Sequence, residues 1–140
     1  MSQRKLEKQS DPVQDEYTLN NALLLTVLLL KKDWTSLSQV IVGGDYLNHA
    51  IFTAIELNCA LSFLVTAGYV DFNTKKEMCI TEKSLEFCDD TIEKAGASRK
   101  WKLIYEKLKN FTVGSSRKIK IYFTDTEIRV AYQQYVNNLR

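Results

Sequence analysis

The stretch from Thr53 to Thr81, TAIELNCALSFLVTAGYVDFNTKKEMCIT, constrains the fold most, because its hydrophobic period changes partway along. Thr53 and Glu56 stand in the T-x-x-E spacing of a capping box. In such a box the Thr hydroxyl accepts from an unpaired amide at the helix start, and the Glu reaches back to the cap amide. Ala54, Leu57, Leu61, Leu64 and Val65 then recur at helical spacing and line one face. Gly68 follows, where a left-handed residue ends a helix. Beyond it the period drops to two: Val70 and Phe72 alternate with polar neighbours, as do Met78 and Ile80. Asn73, Thr74, Lys75 and Lys76 form the polar tip between these runs. The stretch therefore reads as a helix feeding a small hairpin.

A chain of 140 residues supports a single domain with its own core. The run Ala22–Leu30, ALLLTVLLL, is too short to span a bilayer, which takes about 20 apolar residues, and reads as a buried core helix. No membrane association is expected. Cys59, Cys79 and Cys88 are odd in number and lack a C-x-x-C pair, which suits reduced thiols and a cytoplasmic setting.

In chain order, residues 1–16 read as a loose polar arm with Pro12. A first helix runs from Tyr17 to Lys31. Leu37, Val40 and Ile41 mark a second, capped by Thr35 or Ser36 and stopped at Gly43 and Gly44. Thr53 opens the third. After the hairpin, Thr81 caps a helix to about Lys94 with Leu85, Cys88 and Ile92 inward, and Trp101, Ile104, Leu108 and Phe111 mark another. Ile119, Ile121 and Phe123 alternate as a short strand. Thr124 and Glu127 repeat the capping box before a last helix. The expected fold class is mainly α with a small β wing.

Residues 17–95 resemble a winged helix-turn-helix domain and are similar to uncharacterised bacterial winged-helix proteins. Leu61, Leu64, Gly68, Tyr69 and Val70 carry the likeness, with the apolar first helix and the Cys79-Ile80-Thr81 cap. The resemblance implies a regulator that binds double-stranded DNA, with its third helix in the major groove. Residues 96–140 lie outside it as a basic helical extension.

Charge points the other way. From Asp33 to Thr74 there is no Lys or Arg, against four carboxylates. DNA binders draw most of their non-specific affinity from Lys and Arg at phosphates. The third helix is expected to expose Glu56, Asn58, Ser62, Phe63 and Thr66, of which Asn58 alone suits base reading. Positive charge gathers in residues 99–140, which hold ten Lys or Arg and three Asp or Glu, a net +7. The candidate nucleic-acid contacts are therefore Lys75, Lys76, Arg99, Lys100, Lys102, Lys107, Lys109, Arg117, Lys118 and Lys120. The same cations also fit a solvated helix face. Trp101, Leu108, Ile128, Tyr132, Tyr135 and Leu139 form the expected homodimer contact.

Catalysis is not indicated. His49 is the only histidine, and no second His stands ready to form a metal site. A cap or a hydrogen bond is its expected role. No nucleophile elbow or phosphate loop occurs, so neither an enzyme nor a cofactor is expected. Two functions remain: a DNA-binding regulator, or a protein-association module whose neutral third helix meets protein.

Overall fold

A computed structural model describes residues 2–110 and 119–139. The chain is mainly helical with one small antiparallel sheet, as the hydrophobic periods require. Helix α1 (Ser2–Lys31) is its axis. Every residue from Ala22 to Leu29 is buried, because neighbours cover the helix all round. Helices α2 (Leu37–Asn48), α3 (Ala54–Ala67) and α6 (Ala97–Leu108), with strand β2 (Met78–Ile80), all touch α1. Thr26 is fully buried in that run, and its hydroxyl donates to the Ala22 carbonyl at 2.7 Å. Left-handed Lys32 ends α1 at φ 56°. The helix begins at Ser2, where a loose arm is expected from the sequence. The Gln, Lys, Glu and Arg of residues 2–16 are good helix formers, while Pro12, inside the helix, has no amide to donate.

The third helix matches its sequence signals. Thr53 Oγ1 accepts the Glu56 amide at 3.1 Å, and Glu56 Oε1 accepts the Thr53 amide at 2.9 Å. Gly68 closes α3 with φ 87°, a conformation that costs a residue with a Cβ. Leu57, Leu61, Leu64 and Val70 are buried with Leu24 and Leu28 of α1, while Phe72 and Ile80 are partly buried against them.

Strand β1 (Val70–Phe72) pairs antiparallel with β2, Val70 opposite Ile80 and Phe72 opposite Met78. Thr35 adds a bridge on the other side of β2, exchanging backbone bonds of 2.8 and 2.9 Å with Met78. At the hairpin tip Asn73 Oδ1 accepts the Lys75 and Glu77 amides, both at 2.9 Å.

Two sequence expectations fail here for reasons of packing. Gly43 and Gly44 do not stop the second helix, which runs on to Asn48. They sit inside it because neighbours press close: a Cβ on Gly43 would lie 2.6 Å from Val27 Cγ1, and one on Gly44 3.0 Å from Phe52 Cε2. The link between α2 and α3 is therefore only residues 49–53. The helix expected from Thr81 to Lys94 is two pieces, α4 (Glu82–Phe87) and α5 (Asp90–Lys94), because the Asp89 carboxylate caps a fresh start. Leu85 is exposed, and Ser84, Phe87, Cys88 and Ile92 are inside.

Residues 96–110 and 119–139 are packed into the body and do not extend from it. Ile104 of α6 is fully buried. Helix α7 (Asp125–Asn138) lies on α2, behind a capping box in which Thr124 Oγ1 accepts the Glu127 amide at 3.1 Å. Among the described residues no helix is long and apolar enough to cross a membrane.

Candidate interaction surface

Asn58 and Ser62 stand one helical turn apart on α3 and are expected from the sequence to face solvent. Both are buried, at 3% and 8% exposure. Residues 120–123 cover them. The Lys120 amide donates to Ser62 Oγ at 2.8 Å, and the Ser62 hydroxyl donates to the Lys120 carbonyl at 3.3 Å. Asn58 Oδ1 accepts the Tyr122 and Phe123 amides at 2.8 and 3.0 Å, and Asn58 Nδ2 donates to the Phe123 carbonyl at 2.8 Å. The match is geometric. Four helical residues rise about 6 Å, close to the roughly 6.6 Å spanned by two residues of extended chain. Two side chains of one helix thus take up backbone groups of Lys120, Tyr122 and Phe123.

Apolar contacts fix the same segment. Tyr122 and Phe123 are buried, and the Phe72 ring meets theirs edge-on at centroid distances of 4.8 and 5.7 Å. Ile119 and Ile121, expected to alternate inward with Phe123, are 51% and 66% exposed, because the residues between them carry the bonds to α3. Of the expected outward face only Thr66 is exposed. Glu56 is half-buried in its capping box, and half-buried Phe63 packs on the core. The signal that would have found the buried pair is the apolar character of α3 on nearly every side. Two polar residues at i and i+4 within such a helix require partners.

The basic candidates disperse. Lys100 is buried, and its Nζ donates to the carbonyls of Ile92 at 3.1 Å, Ala95 at 2.7 Å and Glu93, closing the end of α5. Nucleic acid cannot reach it there. Lys107 donates to the Phe87 carbonyl and lies 3.6 Å from Asp89 Oδ2. Lys76 pairs with Glu127 at 2.8 Å, and Lys109 with Glu106 at 3.0 Å. Lys75, Arg99, Lys102 and Lys120 are exposed. Arg117 and Lys118 lie outside the described residues, as does Phe111.

The expected dimer stripe is mostly used within the chain. Leu108 and Ile128 are buried. The Trp101 indole donates to the Leu19 carbonyl at 3.1 Å. The Tyr135 hydroxyl donates to Asp45 Oδ2 at 2.7 Å, which holds that phenol above its ordinary pKa. Ser38 Oγ donates to Gln134 Oε1 at 2.8 Å. Tyr132 and Leu139 are exposed. The cause is the length of α2: its last turns, with Asp45, give α7 a face on which to dock.

His49 is exposed. It ends α2 as a left-handed residue at φ 57°, its backbone N–H donating to the Asp45 carbonyl. All three cysteines are free thiols, and burial pushes Cys88 up to about 11. Among the described residues no group of three or more His, Cys, Asp or Glu side chains gathers as a metal site. Comparison with protein-family models, curated proteins and solved structures finds no match.

Proposed function

We propose that this chain is a non-catalytic association module on a winged-helix scaffold, and that it works by meeting protein. One observation carries the reading: Asn58, the one α3 side chain suited to reading bases, is bonded, like Ser62 beside it, to residues 120–123 of the same chain. A helix so covered leaves only Glu56, Phe63 and Thr66 of its expected face to meet a major groove. Charge supports the same reading. Several lysines that would neutralise phosphate are spent on carbonyls or carboxylates of their own fold. The helix order and the hairpin support the winged-helix part.

The competing reading is a DNA-binding regulator that uses exposed Lys75, Arg99, Lys102 and Lys120. Fluorescence anisotropy with a labelled random-sequence duplex at low salt separates the two. The association reading expects no saturable binding. Saturable binding that weakens on every sequence when those residues become Gln, with a flatter salt dependence, overturns it.

A further inference from the structure

We infer that residues 119–121 form an open strand edge that receives an extended acidic segment of a partner protein. The inference rests on the association reading and names the surface that association uses. In extended chain, the N–H and C=O of one residue point to the same side, and those of its neighbours to the other. Both backbone groups of Lys120 bond to Ser62 on α3. The Tyr122 amide turns the same way, to Asn58, and the alternation ends at Phe123, whose amide and carbonyl face Asn58 as well. The amides and carbonyls of Ile119 and Ile121 therefore point away from the fold, and among the described residues none of them has a partner. Side chains agree with that register. Lys120 Nζ sits 5.2 Å from the centroid of the Tyr122 ring, as residues two apart on one strand face should. Ile119 and Ile121 share the opposite face and are exposed.

A segment paired on one edge and open on the other accepts an added strand. Main-chain bonds supply affinity and alternate side chains supply choice. Charge selects the occupant. Antiparallel pairing with a second copy, centred on Lys120, would set one lysine against another, and like charges directly opposite are unfavourable. Lysine on an edge is a common guard against self-pairing. A carboxylate opposite Lys120, flanked by β-branched residues against Ile119 and Ile121, satisfies both faces.

The test uses the full chain, isotopically labelled, with a soluble peptide of alternating Glu and Val as probe. Its Lys-Val counterpart and a random-sequence duplex are the comparison arms. Amide exchange is read residue by residue. The inference expects exchange at Ile119 and Ile121 to slow on adding the Glu-Val peptide, with Lys120 and Tyr122 unchanged. Ile121→Pro removes one outward N–H and keeps its neighbour extended, so it should lose peptide binding. Ile121→Thr keeps the backbone donor and should retain it. Lys120→Glu should weaken the Glu-Val peptide severalfold and improve the Lys-Val one. Glu-Val binding with protection elsewhere overturns the edge assignment and leaves the association reading standing. Equal binding of both peptides overturns the acidic preference. Failure of both peptides overturns the inference, and duplex binding in that case overturns the association reading too.

Discussion

Replacing Asn58 by Ala should destabilise the protein by about 2–4 kcal/mol. The side chain makes three hydrogen bonds of 2.8–3.0 Å to the backbone of Tyr122 and Phe123. A hydrogen bond in a folded protein contributes about 0.5–1.5 kcal/mol net, and a buried group left unpaired costs about 1–3 kcal/mol. Two of these bonds share one acceptor, and water entering the vacated space would recover part of the loss, so the lower half of the summed range applies. Denaturant unfolding gives the free energy, and the melting temperature should fall on the order of 10 °C. Asn58→Asp separates the hydrogen-bond account from simple loss of packing. The carboxylate keeps both amide donors but faces the Phe123 carbonyl and is buried as a charge, so its folded pKa lies above the unfolded value. Its deficit against wild type should therefore be smaller at about pH 4 than at about pH 7, because the protonated acid can donate to that carbonyl. An Asn58→Ala protein within about 0.5 kcal/mol of wild type, or an Asp variant with no pH dependence beyond that of wild type, would refute the reasoning.

Gly43→Ala should destabilise even though Ala favours helix by roughly 1 kcal/mol, because the new Cβ would lie 2.6 Å from Val27 Cγ1; adding Val27→Ala should restore part of the loss in thermal melts. Glu127 is held below the ordinary carboxylate range by hydrogen bonds from Lys76 and from the Thr124 backbone. Its contribution, at most about 1 kcal/mol for a pair this exposed, is present above the unfolded value of about 4.3 and is lost as pH falls through the folded one; the stability gap between wild type and Glu127→Gln should close over that window. Cys88 is 3% exposed with its thiol pushed up to about 11; iodoacetamide at neutral pH should label it at the rate of unfolding, read by mass spectrometry, and label half-buried Cys59 and Cys79 sooner.

The elements legible in the sequence are those whose signals are local. The capping boxes at Thr53 and Thr124 and the turn at Gly68 each lie within a few residues of what they terminate, and all are present. The Leu57–Leu61–Leu64 face follows from spacing alone. What could not be read depends on chain brought from far away. Asn58 and Ser62 are polar residues on a helix, and only residues 120–123, about 60 positions on, bury them. Gly43 and Gly44 carry the composition of a helix stop, yet the close approach of Val27 and Phe52 makes them part of the helix. Lys100 belongs to a basic run, but the carbonyls at the end of α5 claim its ammonium group. Local charge told where cations lie along the chain and left open which of them face solvent.

Native-state hydrogen exchange at the Tyr122 and Phe123 amides, with and without random-sequence duplex at low salt, tests most directly whether α3 is sealed by its own chain. The account predicts that both amides are protected and that the duplex changes neither. Unprotected amides at these two positions, or protection lost on adding the duplex, would mean that α3 is free to be read from outside, and would contradict it.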